Sequence, residues 1–189
     1  MYKDDLRRQI RQIKRQFTPQ QLEELSLPIV ARLKTRLSEA QTVLAYYSLP
    51  DEVNTHQLLD DLLAEGKKVL LPKVLDDENM EIRRYTGRHD LQEGILHLME
   101  PVGELFTAYG DIDIVVVPGM AFDAQGHRLG RGRGYYDRFL SSLGTVLNES
   151  SDVNSLRTVP IELIGVCFDF QKVDEVPVDA FDIAVDEVI

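Results

Sequence analysis

Residues 128–138 bring together side chains suited to binding phosphate. Three glycines alternate with arginines from Gly130 to Gly134. Glycine permits backbone conformations in which successive N–H groups face one concavity, and its missing Cβ lets a ligand approach closely. The arginines of this segment are Arg128, Arg131, Arg133 and Arg138. The pattern therefore predicts a loop that binds a polyphosphate.

A helix is expected to begin directly after this loop, because Tyr136, Phe139 and Leu140 have the spacing of one helix face. The free N–H groups and the positive dipole end of such a helix favour an anion. Asp137, the one acidic residue of the segment, is suited to bind Mg²⁺ beside bound phosphates.

The glycine spacing matches neither the Rossmann pattern nor the P-loop pattern. From the motif alone, two other interpretations stay open: a flexible arginine–glycine turn and an RNA-binding arginine–glycine segment. The flanking sequence disfavours both. An apolar run over 114–117 is typical of a buried strand and stops at Pro118-Gly119, and the helix follows the loop.

Charge and composition limit the classes of function. The net charge of −11 disfavours a general nucleic-acid binder or a protein of anionic membranes, although a local basic site remains compatible with it. The single cysteine, Cys167, excludes an intramolecular disulfide, and its apolar surroundings indicate a buried strand over 163–168. No N-terminal signal or long apolar segment is present, so we expect a cytoplasmic protein.

Periodicity and turn residues predict alternating helices and strands. Helices are expected over 3–17, 18–39 with a capping box at its start, 52–65 with Gly66 as its C-cap, and from about Gly134. Strands are expected over 42–47, 67–71, 81–85 at an edge, 114–117 and 163–168. The stretches 86–112 and 141–160 are expected to be loop-rich. This order favours one α/β domain over residues 1–189, a three-layer α/β/α fold with a mainly parallel sheet.

The segment 118–137 resembles a known family signature. It runs Pro-Gly-Met-Ala-Phe-Asp and, from Gly126, Gly-x-Arg-Leu-Gly-Arg-Gly-Arg-Gly-Tyr-Tyr-Asp. This is closely similar to the motif of 5-formyltetrahydrofolate cyclo-ligases, also called methenyltetrahydrofolate synthetases. The resemblance extends from Lys3 to the C-terminus. It implies the fold shared with ribose-phosphate isomerases and coenzyme A transferases.

The resemblance also implies a reaction. It is the closure of 5-formyltetrahydrofolate to 5,10-methenyltetrahydrofolate, which depends on ATP and Mg²⁺ and releases ADP and phosphate. A phosphorylated formyl group is the implied intermediate. Catalysis of this kind rests on positioning and on stabilisation of charge.

Several binding residues follow from the resemblance. Lys3 and Arg7 match a Lys-x-x-x-Arg pattern that contacts ATP, and Lys73, expected just beyond the second strand, matches a position near the nucleotide. Tyr47 and Glu52 match positions that bind the folate, and a carboxylate suits the N–H donors of a pterin. The other implied ATP-binding residues are Arg128, Leu129, Gly130, Arg131, Gly132, Arg133, Gly134, Tyr135 and Tyr136.

The implied catalytic residues are Arg131, Arg133 and Tyr135, of which the arginines hold the phosphates and the tyrosine flanks the folate. The stretch 131–135 as a whole is also implied to contact the substrate. Asp137 and Asp182 are the implied ligands of Mg²⁺. Two positions depart from the family pattern: Arg133 stands where many members have lysine, and the residue before Asp182 is a phenylalanine where many have histidine.

Two alternatives remain beside this interpretation. The first is an ATP-dependent enzyme of the same shape that acts on another formyl or carboxylate compound. The second is a non-catalytic relative that binds a nucleotide or RNA. On the preferred interpretation we expect a monomer that acts on a small molecule, with no nucleic-acid or membrane partner.

Overall fold

The computed structural model describes residues 2–95, 97–149 and 160–189. Its helices are α1 (Lys3–Lys14), α2 (Pro19–Arg36), α3 (His56–Ala64) and α4 (Tyr135–Glu149). Its strands are β1 (Thr42–Leu44), β2 (Lys68–Val74), β3 (Met80–Tyr85), β4 (Leu91–Glu93), β5 (Met99–Pro101), β6 (Ile114–Pro118), β7 (Ala121–Phe122), β8 (Arg128–Leu129), β9 (Glu162–Val166) and β10 (Glu187–Val188).

A six-stranded sheet with the order β10-β9-β6-β1-β2-β3 forms the centre of the molecule. Every neighbouring pair in it is parallel except β2 and β3, which form an antiparallel hairpin at one edge. Two short hairpins, β4–β5 and β7–β8, lie outside this sheet. The predicted mainly parallel α/β fold, with an edge strand over 81–85, is confirmed.

Helices cover both faces of the sheet, because successive residues of a buried strand point to opposite sides. Val43 packs on one face with Leu33 of α2 and Leu59 of α3. Its neighbour Leu44 packs on the other face with Phe139 of α4. The arrangement has the three layers that the alternation of elements predicts.

Helix α1 packs away from the main sheet. Leu6 and Ile10 contact Met120 and Leu129, which belong to the segment around the β7–β8 hairpin. The amphipathic pattern predicted this buried face, although the helix ends at Lys14, three residues earlier than expected. The packing brings the N-terminal helix against the strand that leads into the glycine-rich loop.

The helix predicted from Glu52 begins only at His56. The Thr55 hydroxyl donates to the Tyr46 carbonyl at 2.7 Å and accepts from the Ser48 N–H at 3.2 Å. These bonds fold the chain after β1 back on itself before a helix can start. Glu52 therefore lies in a turn before α3 and not at the N-terminus of a helix. Its carboxylate is held by hydrogen bonds from the Leu49 N–H and from Arg131.

The lengths of β1 and β2 also differ from the prediction. β1 ends at Leu44, so Tyr47 follows the strand. β2 extends to Val74 because it pairs along its whole length with β3. Lys73 is therefore inside a strand, opposite Glu81, and its predicted place beyond the strand end is wrong.

Helix α4 continues through residue 149, so the first part of the predicted polar connection over 141–160 is helical. The remainder of that prediction, residues 150–159, lies outside the described residues. The strand predicted around Cys167 is present as β9, and the thiol is buried directly after it. Over the ranges that the structure covers, no helix combines the length and apolar character needed to cross a bilayer.

Candidate active site

A cavity of about 200 Å³ opens at the carboxyl ends of the central parallel strands. Its wall includes Tyr46 and Tyr47 after β1, Pro72 in β2, and Pro118 and Gly119 at the end of β6. Open α/β sheets bind their ligands at this edge, outside the carboxyl ends of the strands. The glycine-rich segment forms a further part of the wall through Gly130, Arg131, Arg133, Gly134, Tyr135, Tyr136 and Asp137.

Much of the cavity lining is apolar. Leu71, Met80, Leu98 and Met99 contribute to it. Tyr47, also in the lining, stacks on the His56 ring with the two centroids 3.8 Å apart. A mainly apolar lining with a few polar groups is typical of a small-molecule site.

The glycine-rich loop has the backbone that its sequence predicts. Gly132 has a φ of +108° and Gly134 a φ of +70°, conformations that L side chains rarely adopt. Helix α4 starts directly afterwards at Tyr135, so its free N–H groups lie next to the loop. From α1, Arg7 Nε donates to the Gly130 carbonyl at 2.9 Å and holds the loop from the side.

The Arg131 guanidinium bridges the loop to the turn that carries Glu52. Its Nε and NH2 lie 3.0 Å and 2.8 Å from Glu52 Oε1, and NH2 also lies 2.6 Å from Asp51 Oδ1. The other oxygen of Glu52 accepts from the Leu49 N–H at 3.0 Å. The structure therefore brings together an implied phosphate-binding arginine and the implied folate-binding carboxylate.

The turn between β2 and β3 contacts Arg133 of the loop and two side chains from the start of α4. Arg133 NH1 lies 3.0 Å from Asp77 Oδ1, the Tyr135 hydroxyl donates to the carbonyl of residue 76 at 2.7 Å, and Arg138 Nε donates to that of residue 78 at 2.8 Å. Arg133 and Asp77 are both exposed, so their interaction is weak. Of the two loop arginines, Arg133 is therefore held only weakly, whereas Arg131 is paired with two carboxylates.

Buried Arg128 forms an ion pair with the partly buried Asp137 next to the loop. Arg128 NH2 lies 2.7 Å from Asp137 Oδ1, and only 4% of the Arg128 side chain is exposed. The Arg128 guanidinium also lies 5.8 Å from the centre of the Tyr136 ring. Arg128 Nε and the Tyr136 hydroxyl are buried and have no hydrogen-bond partner. Burial raises the pKa of Tyr136 well above its ordinary value, so the hydroxyl stays protonated and can donate.

Asp182 lies next to Asp137 through the backbone, because the Ile183 N–H donates to Asp137 Oδ1 at 3.4 Å. Lys3 of α1 contacts the Asp182 carboxylate, and the Asp179 N–H donates to it at 2.7 Å. Burial acts to raise the pKa of Asp182, but these hydrogen bonds and the Lys3 charge outweigh it and lower that pKa.

The two carboxylates suit Mg²⁺, which typically takes one or two protein carboxylates and completes its shell with phosphate oxygens and water. No group of three or more His, Cys, Asp or Glu residues arranged for a metal occurs among the described residues. Lys3 and Arg128 already pair with Asp182 and Asp137. A cation held by these two carboxylates would take its remaining ligands from other groups.

Some implied residues are not at the cavity. Leu71, Pro72 and Val74 of β2 line it, but Lys73 does not. Leu129 is buried against α1, and its carbonyl accepts from the Met120 N–H at 2.6 Å, so it is not part of the cavity wall. Lys3 does not line the cavity either; it contacts the Asp182 carboxylate.

Sequence reasoning missed three features of the site. The first is the acidic turn over 76–78, which the β2–β3 hairpin brings into contact with the glycine-rich loop.

The second is Glu100 of β5, a buried carboxylate in the cavity wall. Its Oε1 accepts from the Val74 N–H at 2.9 Å, and its Oε2 has no hydrogen-bond partner. Burial raises the pKa of this carboxyl group. Lys14 is buried beside Asp51, and its spacing of four from Ile10 and eight from Leu6 was the signal that placed it on the buried face of α1.

Comparison with known proteins agrees with this geometry. The model of the 5-formyltetrahydrofolate cyclo-ligase family matches residues 1–189. The 5-formyltetrahydrofolate cyclo-ligase of Escherichia coli is 30% identical over 95% of this chain and 95% of its own length. The mouse enzyme of the same name is 27% identical over 99% of this chain and 92% of its own.

Solved structures show the same fold. The 5,10-methenyltetrahydrofolate synthetase of Aquifex aeolicus superposes with a TM-score of 0.79 at 32% identity, covering 100% of this chain and 89% of the other. The synthetase of Mycoplasma pneumoniae gives a TM-score of 0.74 at 25% identity, covering 100% and 98%. Because the family model spans the whole chain and the relatives align along nearly their full lengths, the chain belongs to the 5-formyltetrahydrofolate cyclo-ligase family.

Proposed function

We propose that the chain catalyses the ATP- and Mg²⁺-dependent conversion of 5-formyltetrahydrofolate to 5,10-methenyltetrahydrofolate, with release of ADP and phosphate. One observation carries the proposal. Arg131, from a glycine-rich loop suited to phosphates, contacts Glu52, a carboxylate suited to a pterin, in the wall of a single cavity. Family membership supports the folate substrate.

The chemical difficulty is that the formyl group on N5 is amide-like and therefore a poor electrophile. The formyl oxygen takes the γ-phosphoryl group, and the bond from phosphorus to ADP breaks. N10 then attacks the activated carbon and forms the new C–N bond. N10 loses its proton, and phosphate leaves with the former formyl oxygen and its electron pair. Each step needs alignment and charge stabilisation, which positioned side chains provide.

The loop holds the transferred group in this scheme. The backbone N–H groups of residues 130–134 and the start of α4 face the phosphates, and Arg131 and Arg133 bind phosphoryl oxygens with fixed, forked donors. Tyr135, in the cavity wall, flanks the folate ring. The arginine at 133, where many relatives carry lysine, keeps the charge and replaces a compact ammonium by a planar fork of N–H donors.

The opposite wall holds the folate. Glu52 has two oxygens in place, and a pterin presents N–H donors in a row that match a carboxylate. Tyr47, kept in orientation by its stack on the ring of His56, offers a flat face to the ring system. Glu100 adds a second acceptor in the same wall.

Asp137 and Asp182 would hold Mg²⁺, which would neutralise charge on the phosphate oxygens. The contacts with Arg128 and Lys3 orient the two carboxylates.

A direct assay tests the proposal. Purified protein is mixed with 5-formyltetrahydrofolate, ATP and Mg²⁺, and the near-ultraviolet absorbance of the methenyl product is followed, with controls that omit ATP or Mg²⁺. We expect a rise that requires both. No rise with ATP still bound would favour another formyl or carboxylate substrate. No rise together with retention on RNA at physiological salt would favour the binding-module alternative.

A further inference from the structure

Lys14 is a buried lysine close to the proposed active site. It lies in the last turn of α1, and 4% of its side chain is exposed. Its Nζ donates to the Asp51 carbonyl at 2.6 Å and to Asp51 Oδ2 at 3.2 Å. Burying an ammonium group is costly unless it is hydrogen-bonded to an acceptor of opposite charge. Asp51 provides that acceptor.

Asp51 is shared between two cations. Its Oδ2 faces Lys14, and its Oδ1 lies 2.6 Å from Arg131 NH2. Arg131 in turn divides its donors between Asp51 and Glu52. The four charges balance as two cations and two carboxylates. Burial lowers the pKa of Lys14, and the nearby Arg131 charge acts in the same direction, against the opposing effect of both carboxylates.

A substrate that binds Arg131 must compete with those carboxylates. When the guanidinium turns to a phosphoryl oxygen, its contact with Asp51 weakens, and the Asp51 charge then needs another cation. Lys14 is already in place to supply it. Without Lys14, Asp51 has only Arg131 for charge compensation and holds it more strongly.

We infer that Lys14 is a positioning residue that neutralises Asp51, so that Arg131 is free to bind the transferred phosphoryl group. Glu52 and Arg131 line the cavity, but Lys14 and Asp51 are not among the described residues that do. Lys14 therefore acts through Arg131 and does not touch the reactants. The inference rests on the proposed function, since it gives Arg131 a phosphoryl partner.

The test is a double-mutant cycle on Lys14 and Asp51. Binding of a non-hydrolysable ATP analogue with Mg²⁺ is measured by calorimetry, and kcat and KM are measured beside it. We expect Lys14→Met to weaken analogue binding about tenfold, equivalent to one lost charge interaction. Asp51→Asn in the same background should restore most of the affinity, because the carboxylate that retains Arg131 is gone.

A lysine elsewhere provides the matched control. Lys34 bridges Asp61 and Glu65 on the α2–α3 surface, and Lys34→Met should leave analogue affinity within about twofold of the parent, as expected for an exposed pair. Lys14→Arg, which keeps the charge, should recover part of the affinity. If the role of Lys14 were purely structural, Lys14→Met would lower the melting temperature, and the added Asp51→Asn would not restore affinity for the analogue.

Two results would overturn the inference: unchanged analogue affinity in Lys14→Met, or equal losses in Lys14→Met and the double variant. If Lys14→Met does not fold, Asp51→Asn alone decides, since it should bind the analogue at least as tightly as the parent; weaker binding refutes the inference. The absorbance assay on the unsubstituted chain judges the proposed function separately, because analogue binding does not require turnover.

Discussion

Arg131 Nε and NH2 both point at one oxygen of Glu52, Oε1, at 3.0 Å and 2.8 Å. Together with the contact of the same guanidinium to Asp51, this ion pair joins the loop proposed for phosphates to the turn proposed for the folate. In the proposed reaction, binding of the nucleotide to Arg131 or of the folate to Glu52 would therefore alter the charge next to the other reactant. In the proposed reaction this contact is where the transferred phosphoryl group and the formyl group must come together.

Replacement of Glu52 by glutamine tests this contact. The amide keeps the size of the side chain but removes the charge that faces a pterin and Arg131. We expect kcat/KM for 5-formyltetrahydrofolate to fall about 10- to 100-fold, in line with the loss of a charge-assisted hydrogen bond of about 1.5–3 kcal/mol. Steady-state kinetics at saturating ATP would measure it. Glu65→Gln, which changes a surface pair with Lys34, is the control, and an equal loss there would contradict the assignment.

The ion pair of buried Arg128 with the partly buried Asp137 should dominate the stability of the loop. Arg128→Met leaves the Asp137 carboxylate, in the first turn of α4, without its cation, so we expect the free energy of unfolding to fall by about 3 kcal/mol. Arg133→Met removes an exposed pair and should change it by less than about 0.5 kcal/mol. Urea unfolding of both variants measures the difference, and similar losses would show that burial of the pair contributes little.

Much of the site could be predicted because its signals are local. The glycine-rich loop, the start of the helix after it and Asp137 lie within a dozen consecutive residues, and their chemistry follows from residue type and spacing. The strand over 114–117 also follows from a local apolar run. In each case the neighbours in the sequence are the neighbours in space.

The rest depends on tertiary contacts that no local pattern contains. Thr55 delays the start of α3 through hydrogen bonds to Tyr46 and Ser48, and that places Glu52 in a turn. Pairing with β3 extends β2 through Lys73. The turn over 76–78 reaches the loop only because that hairpin is formed. Such contacts between elements distant along the chain override local propensity.

Gly132 and Gly66 offer a matched pair for testing the loop. Both have positive φ, +108° and +80°, and a Cβ at either position meets no atom closer than ordinary van der Waals contact. Alanine should therefore cost about 1–2 kcal/mol of backbone strain at each site. Only Gly132→Ala should also weaken the binding of an ATP analogue, because only that strain reorients the N–H groups that we propose to bind the phosphates. Calorimetry and thermal unfolding of both variants separate the two effects, and equal nucleotide affinity would remove Gly132 from the cradle.

The Cys167 thiol should be unreactive in the native protein, and its ionisation in the unfolded state should lower the free energy of unfolding at high pH. Burial raises the pKa of the thiol to about 12, whereas an unfolded cysteine has a pKa of about 8.5. Between these values the unfolded state loses its proton and the native state keeps it. The free energy of unfolding therefore falls as the pH rises, by up to about 1.4 kcal/mol per unit from this group.

Cys167→Ala isolates that contribution. The substitution lowers stability by a constant amount through the smaller side chain, but it should make the slope of stability between pH 9 and 11 less steep than in the parent. Urea titrations of the two proteins across that range provide the comparison. Parallel slopes, or rapid alkylation of the native thiol by iodoacetamide at pH 8, would show that the thiol is exposed to solvent in the folded chain.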